Sequence, residues 1–273
     1  MSISNEHKLN KIDKWNMFYK SIKINLVLVF CFIVQILGLA ILYPSNPTMG
    51  AFGNIVCGII TFIISVVSGY YVHVYSHMFD YENKYCNLFN SSNIAGHVLR
   101  SLPKPIKWII EKYVYLLNFH NKIHHNTNIN KQWHNIIIET MLNILTEGVF
   151  LITLFKLLNF GIKIRGHIFT FNYPILFAWS ILYATIHNIN YNIITPICHI
   201  QHHLNEKNNY GIDFMDILFG SKYDDVPEEI NHASLNVILI LLFIIFIKDF
   251  CKPTNDNGIS TYLYNFINWF VSY

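Results

Sequence analysis

The chain has 273 residues, of which 53% are hydrophobic and only 13% are charged. A soluble domain usually carries about 25% charged residues, so this composition excludes an ordinary soluble protein and predicts one embedded in lipid. The net charge of +3 is small, so no nucleic-acid partner is expected. The five cysteines are scattered and form no CxxC pair, so neither a disulfide framework nor a cysteine zinc site is predicted.

Two long apolar runs near the N-terminus predict a helix hairpin in the membrane. Residues 1–23 are polar and lysine-rich, and we expect a cytosolic tail, because this stretch is too long and too mixed to begin a signal peptide. Residues 24–43 have the length that crosses a bilayer, and a proline-containing turn separates them from a second run, residues 51–77. Since the basic tail favours a cytosolic N-terminus, the second span is predicted to end in the cytosol at His73 and His77.

A long connection, residues 78–119, follows this hairpin. Its second part, residues 105–119, mixes aliphatic side chains with aromatic residues such as Trp108 and with Lys107 and Lys112. This mixture is typical of a helix that lies in the membrane interface, and an ordinary buried helix is the alternative.

Two further apolar runs predict a second hairpin. Residues 135–160 contain Glu139 and Glu147, and charges within a span usually face the bundle interior or a functional site. The next run, residues 168–186, ends at His187. If the spans alternate, His187 returns to the cytosolic side.

The remaining segments complete one membrane-embedded domain, residues 24–250. Lys163 and Arg165 fall in the turn between the last two runs, on the far side of the membrane and against the positive-inside tendency. The apolar run over residues 235–247 is only about 13 residues, which is short of a span. We expect it to be re-entrant, tilted or packed against the bundle. Residues 251–273 are predicted to form a C-terminal tail.

Nine of the 14 histidines form four clusters, each at or just beyond the predicted cytosolic end of an apolar run. The clusters are His73 and His77; His120, His124 and His125; His187; and His199, His202 and His203. Offsets of three and four residues place side chains on one helix face. Neutral imidazole binds iron, zinc and copper well. Nine imidazoles exceed what one ion can take, and two ions with about four or five ligands each would use them.

The predicted fold is therefore all-α and integral to the membrane. About four transmembrane helices in hairpins are capped by a cytosolic, helical, histidine-lined metal site. Glu139 could orient ligating histidines by accepting their hydrogen bonds. His134 is assigned either this kind of role or a place beside the substrate. Four histidines lie outside the spacing pattern and are not expected to be ligands: His7, His97, His167 and His232.

The order of these motifs resembles the fatty acid hydroxylase / sterol desaturase superfamily. HxxxH, HxxxHH and HxxHH are followed by Asn209-Tyr210-Gly211 and then by Asp216-Ile-Leu-Phe-Gly-Ser221, over about residues 50–222. The resemblance implies transmembrane hairpins capped by a cytosolic di-iron centre that uses O2. It also implies that the nine clustered histidines are the iron ligands. Ser221 stands where threonine is common in the family.

Three features distinguish this chain from the family pattern. The interval between His77 and His120 is longer than usual. Tyr191 stands where many members have another histidine, so it is either an extra ligand or a weak point of the second iron site. The spacing from His124 through His134 to Glu139 also resembles the plasmanylethanolamine desaturase family, although the two elements after HxxHH favour the hydroxylase side.

The resemblance implies an O2-dependent lipid hydroxylase acting on a fatty acyl, sphingolipid or sterol substrate, and a desaturase is the alternative. Endoplasmic reticulum is the family expectation for the membrane. Electrons must come from outside, because the chain has no nucleotide-binding glycine fingerprint and no attached cytochrome b5 domain. A separate cytochrome b5 or reductase is therefore expected as partner. The substrate-binding residues remain unassigned.

The motifs match other functional classes of membrane protein less well. A zinc hydrolase or isomerase would need a carboxylate base near an open zinc position, as in HExxH, which does not occur. A metal transporter should carry histidines at mid-membrane, whereas here they cap the spans. An inactive or non-catalytic metal-binding membrane protein stays open because of Tyr191.

Overall fold

The computed structural model describes residues 11–126, 132–158, 161–164, 167–250 and Asn265, and it is mostly helical, at 79%. The α-helices described are α1 (Lys11–Ile24), α2 (Leu26–Leu42), α3 (Ala51–Met78), α4 (Tyr81–Asn90), α5 (Ile94–Ser101), α6 (Lys104–Leu117), α7 (Trp133–Ile144), α8 (Phe150–Leu157), α9 (Tyr173–Thr185), α10 (Tyr191–Ile194), α11 (Ile197–Leu204), α12 (Asp213–Phe219) and α13 (Ser234–Ile245). Short π-helical turns cover His120–His124, Leu145–Val149, Ile186–Asn190 and Phe246–Phe250, and a 3-10 turn covers Asn231–Ala233.

Three helical segments are long and apolar enough to cross a membrane: Ala51–Met78, Trp133–Leu157 and Asn231–Asp249. A fourth exists if α1 and α2, which meet at an angle of 78°, count as one bent span. The prediction of about four membrane-spanning helices is thus confirmed at the level of three or four, by length and composition.

The central helix of the bundle is α9. It packs against α2, α3, α7 and α13, and Leu176, Ala178 and Leu182 have no exposed surface. Its all-round apolar character therefore reflects burial among helices. Within residues 168–186 the helix begins only at Tyr173, because His167–Thr170 form a strand instead. This helix is not among the segments that are long and apolar enough to cross a membrane, so the predicted span over residues 168–186 stays a prediction.

Residues just before α9 form a small antiparallel hairpin of β1 (Gly161–Ile164) and β2 (His167–Thr170), with Ile164 paired to His167. Thr170 Oγ1 donates to the carbonyl of Ser45 at 2.9 Å, in the turn between α2 and α3. The hairpin therefore lies at the end of the bundle where α2 ends and α3 begins, opposite the histidine end of α3. This hairpin is the part that departs from the all-α prediction.

The C-terminal apolar run forms a longer helical segment than its composition predicts. Residues 235–247 are extended by polar residues at both ends, so that the helical segment Asn231–Asp249 has 19 residues. The prediction that it is too short to span is wrong, and the prediction that it packs against the bundle is confirmed by its contacts with α2 and α9. Gln35 Nε2 donates to the carbonyl of Val237 at 3.1 Å across this contact.

The bend between α1 and α2 is held by asparagines. Asn25 is fully buried, and its side chain donates to the carbonyl of Glu228 at 2.9 Å while accepting from the backbone of Ile230 at 2.7 Å. Asn231 reciprocates by accepting from the backbone of Leu28 at 3.1 Å. The predicted tail, residues 1–23, therefore contains most of a helix that packs on α12.

The connection between α3 and the second histidine cluster is a group of three short helices, α4 to α6. None of the residues of α6 is buried, and Trp108, Ile109 and Tyr113 are more than half exposed. The buried-helix alternative for residues 105–119 is therefore wrong, and the interfacial location stays a prediction. The predicted C-terminal tail, residues 251–273, lies outside the described residues except for Asn265.

Candidate metal centre

Four elements converge at one end of the bundle and carry the clustered histidines. The last turns of α3 carry His73 and His77, four residues apart and on one face. The π-helical turn His120–His124 follows α6 and packs against α3 and α7. His187 lies in the π-helical turn that continues α9, and α11 supplies the last cluster. Such π turns widen the backbone locally and are frequent at functional sites.

Eight histidines and one glutamate form three overlapping groups, in each of which the ligand atoms lie within 4.8 Å of one another. The groups are His73, His77, His120 and His202; His120, His124, Glu139 and His187; and His124, His199 and His203. Such groups can hold a metal ion. Because His120 and His124 each belong to two groups, the whole set is one continuous cluster.

The hydrogen bonds on the Nδ1 side determine where two of these rings carry their proton. His73 Nδ1 lies 2.6 Å from the carbonyl oxygen of Tyr210, and His120 Nδ1 lies 3.0 Å from Glu139 Oε1. Both acceptors require a proton on Nδ1, so Nε2 of a neutral ring has none. Yet the two Nε2 atoms face each other at 3.0 Å. Two lone pairs at this distance repel, and a cation bound between them removes the repulsion.

The cluster has two halves, one around His73, His77 and His120 and the other around His124, His199 and His203. The nitrogen–nitrogen distances fit one coordination sphere in each half. His120 Nε2 lies 3.1 Å from His77 Nε2, and His203 Nε2 lies 3.1 Å from His124 Nε2 and 3.0 Å from His199 Nε2. Nitrogen ligands about 2.1 Å from an ion lie about 3.0 Å apart along the edge of an octahedron. The donor set therefore fits a first-row transition metal in both halves.

Glu139 joins the two halves of the cluster. Its Oε1 accepts from His120 Nδ1 at 3.0 Å, and its Oε2 accepts from His124 Nδ1 at 2.8 Å. Glu139 is only 5% exposed, so it is shielded from water. A carboxylate on the outer nitrogen holds a ligating imidazole in orientation and makes it more basic. The geometry is thus the one expected for an orienting residue.

The loop after α11 orients two more histidines through backbone carbonyls. His202 Nδ1 lies 2.6 Å from the carbonyl of Asn208, as His73 does from that of Tyr210. Between them, Asn209 has a positive φ of 55°, a conformation that asparagine tolerates better than most residues. Its side chain donates to the carbonyl of Cys198 at 2.9 Å and accepts from the backbone of Tyr223. These bonds hold the loop against α11.

The helix after this loop is fastened by a buried polar network. Asp216 accepts from Ser221 Oγ at 2.6 Å and from the backbone of Gly211 at 3.2 Å. Tyr70 donates to Ser221 Oγ at 2.8 Å, which ties the network to α3. The segment from Asn209 to Ser221 thus positions the third histidine cluster relative to the first.

Burial keeps the imidazoles in the form that binds metal. Burial and, secondarily, the neighbouring imidazoles hold the pKa values of His120 and His124 well below the usual 6.5. Burial also lowers the pKa of His202 to about 4, despite the opposing effect of the Asn208 carbonyl. Burial likewise lowers the pKa values of His125 and His203. These rings are therefore neutral near pH 7, as ligands must be.

The structure places the other predicted residues differently. His125 contacts the cluster, with its ring centroid 4.7 Å from that of His77, but it belongs to none of the three groups. Tyr191 is buried, with its ring 4.9 Å from that of His199. It lines a water-sized cavity of about 20 Å³ together with His187. His134 is exposed and contacts Trp133, so the structure does not bring it to the cluster.

The histidines that were predicted to lie outside the site belong to none of the three groups, where the structure describes them. His97 is exposed. His232 is half-buried and contacts Tyr191, with ring centroids 6.3 Å apart. His7 and the side chain of His167 lie outside the described residues.

Sequence reasoning missed two residues of the site. Tyr183 Oη lies 2.9 Å from His73 Nδ1, and its position one helical turn before His187 is the signal that could have found it. Glu206 lies within 4 Å of two histidines, His77 and His125. It follows His203 by three residues, but it lies beyond the end of α11, where helical spacing no longer predicts direction.

Comparison with known proteins identifies no relative of this chain: no protein-family model, no curated protein and no solved structure matches it.

Proposed function

We propose that this protein is a membrane-bound, O2-dependent lipid oxidoreductase with two iron ions in its histidine cluster. The observation that carries the proposal is the convergence of eight histidines from four elements into one cluster, in which the Nε2 atoms of His73 and His120 lie 3.0 Å apart. The two halves of the cluster share no histidine, so they suit two ions better than one. The fatty acid hydroxylase resemblance of the motifs points to the same chemistry.

The bound irons would supply the oxidising power that breaks an unactivated C–H bond with O2, which no side chain has. The protein's own contribution is ligation and orientation. Glu139 keeps the Nδ1 protons of His120 and His124 in place, so that both Nε2 atoms point inward. The carbonyls of Asn208 and Tyr210 do the same for His202 and His73.

A lipid substrate is supported by the position of the cluster. His73 and His77 lie at the end of α3, a segment long and apolar enough to span a membrane, so the cluster lies at one end of the bundle. At this depth the cluster can reach the acyl chain or sterol of a lipid whose head group stays at the interface. We propose the endoplasmic reticulum, a cytosolic site, and cytochrome b5 or a reductase as electron donor. Hydroxylation is the favoured outcome, and desaturation begins with the same hydrogen abstraction.

Lipid profiling of cells that express the protein tests the proposal. Cells with the wild type are compared with cells that carry His202→Ala, which removes a fully buried histidine of the cluster. His97→Ala is the matched control, because His97 is exposed and outside the cluster. We expect one lipid class to gain an oxygen atom, or to lose two hydrogen atoms, with the wild type and the control alone.

The same experiment separates the outcomes. A gain of oxygen identifies a hydroxylase, and a loss of hydrogen identifies a desaturase. An identical lipid profile for the wild type and His202→Ala, at equal protein levels, would overturn the proposal and leave a non-catalytic metal-binding protein.

A further inference from the structure

Two carboxylates face the outer nitrogens of the histidine cluster, and the proposed function uses only one of them. Glu139 serves His120 and His124 from the buried side. Glu206 lies on the opposite, solvent side, in the loop that follows α11. Each carboxylate faces a pair of histidines, so the two have corresponding positions.

Glu206 is placed just outside hydrogen-bonding distance of its pair. Its Oε2 lies 3.7 Å from His77 Nδ1, and its Oε1 lies 3.9 Å from His125 Nδ1. Both Nδ1 atoms are buried, and neither has a hydrogen-bond partner among the residues that the structure describes. A buried donor without a partner is unfavourable. The two rings and the carboxylate therefore satisfy each other if they approach by about 1 Å, which brings the distances within the usual range.

The side chain of Glu206 is free to make this movement. Its side chain is 53% exposed and follows the end of α11, so solvent leaves room for its rotamer to change. Glu139, in contrast, is already within bonding distance of both partners. Both carboxylates thus face a pair of Nδ1 atoms, but only Glu139 is within hydrogen-bonding distance of its pair. We call the movement of Glu206 into that distance closure.

Closure has a specific consequence for His125. Its Nε2 also lacks a hydrogen-bond partner among the described residues, and the ring belongs to none of the three metal-binding groups. A carboxylate on Nδ1 would hold the proton there and turn the bare Nε2 away from Glu206, towards the neighbouring rings of His77 and His202, whose centroids lie 4.7 and 4.9 Å away.

We propose that Glu206 is a positioning residue that closes on His77 and His125 and sets both as ligands of the metal ion that the group containing His77 would hold. The inference rests on the proposed metal centre, but it does not depend on the reaction catalysed there. Glu206 orients the imidazoles of His77 and His125, and the ion that these rings would bind is a divalent first-row metal, for which neutral imidazole is a ligand.

Metal titration of the purified full-length protein tests this role. Chelator-stripped wild type, Glu206→Ala and Glu206→Gln are titrated with Fe²⁺ without oxygen and, in parallel, with Co²⁺, whose visible spectrum reports its ligands. Loss of such an orienting partner typically weakens metal binding roughly 10- to 100-fold. We expect this loss in Glu206→Ala for one of the two ions, with an altered Co²⁺ spectrum.

The variants separate positioning from general structure. Glu206→Gln keeps one acceptor oxygen, so its affinity should fall between wild type and Glu206→Ala. Glu111→Ala is the matched control, since Glu111 is an exposed carboxylate outside the cluster. In a His125→Ala background, Glu206→Ala should weaken metal binding less than it does alone, because one of the two histidines that Glu206 orients is already missing.

The outcomes are distinguishable from those for the proposed function. Wild-type affinity and spectrum in Glu206→Ala overturn this inference even if the protein oxidises a lipid. Conversely, weakened metal binding in Glu206→Ala supports it even if no lipid changes in the cells. Failure of the wild type to bind either metal overturns both.

Discussion

Asp216, the first residue of the segment over residues 216–221, supports the histidine cluster indirectly, by fixing a loop. It is 1% exposed and lies in α12, outside the candidate spans. Burial raises the pKa of its carboxyl group to about 7, although the hydrogen bonds from Ser221 and Gly211 and the charge of Lys222 act in the other direction. Asp216 thus holds the loop that orients His202. It makes no hydrogen bond of its own to a histidine of the cluster among the described residues.

This pKa predicts a pH dependence of stability. Between the ordinary value of 3.8 and about 7, the folded state holds a proton on Asp216 that the unfolded state has lost. The free energy of unfolding therefore falls as pH rises through this window, by about 1.4 kcal/mol at most for each pH unit. Asp216→Asn cannot ionise, so we expect the Tm difference between variant and wild type to shift in the variant's favour between about pH 4 and about pH 7.

Thermal unfolding of the detergent-solubilised protein measures this difference. Asp225→Asn, at an exposed position, is the control and should show no such trend. A Tm difference between Asp216→Asn and wild type that stays constant with pH would contradict the raised pKa of Asp216.

At the scale of elements, the bundle depends on close contacts between the helix around Glu147 and the central helix α9. Gly148 lies in the π-helical turn Leu145–Val149 and packs against Ser180 of α9. A Cβ at Gly148 would come within 2.3 Å of Ser180 Oγ and 2.5 Å of its Cβ. The helices can approach this closely only because the side chain is a hydrogen atom.

Gly148→Ala should therefore destabilise the protein. Overpacking of a close helix contact typically costs about 1–3 kcal/mol. Gly50→Ala is the matched control, because a Cβ there meets nothing within 4 Å, and it should change stability by less than about 0.5 kcal/mol. The comparison of Tm values in detergent measures both. Equal Tm values for the two variants would show that the contact can relax.

At the scale of the whole molecule, four separate elements are brought together by groups that repel one another without a cation. His73 and His120 are 47 residues apart in the chain, and their Nε2 atoms lie 3.0 Å apart. An ion that binds only the folded state would link α3, α11 and the two π turns, and it would contribute its binding free energy to stability.

Removal of metal should lower the stability of the whole protein. A metal ion at 100 times its dissociation constant stabilises the folded state by about 2.7 kcal/mol. We expect a chelator to lower the Tm of wild type and Fe²⁺ to restore it. Both effects should be smaller in His202→Ala, which loses a ligand from one of the groups and keeps the group of His124, His199 and His203 intact. Metal analysis of the purified protein should find iron. Zinc without iron would count against an oxidoreductase, and a Tm indifferent to chelation would count against the metal centre.

Much of the architecture follows from the sequence because it depends on local pattern. Long apolar runs predicted the helical segments Ala51–Met78 and Trp133–Leu157, since lipid requires every backbone group to be satisfied within its own helix. Helical spacing alone places His73 beside His77 and His199 beside His203. The start of the helix within residues 168–186 was misplaced, because a short apolar run reads alike in a strand and in a helix, and His167–Thr170 form a strand.

Only the tertiary structure decided how these local patterns combine. Within the described residues, it brought eight of the nine clustered histidines into one set of overlapping groups, and it left His134 at the surface. It also placed Glu139 between two histidines and Glu206 opposite another pair. The sequence determines which side chains can bind a metal, because ligand chemistry belongs to single residues. Which of them share an ion depends on distances between elements far apart in the chain, and packing alone sets those distances.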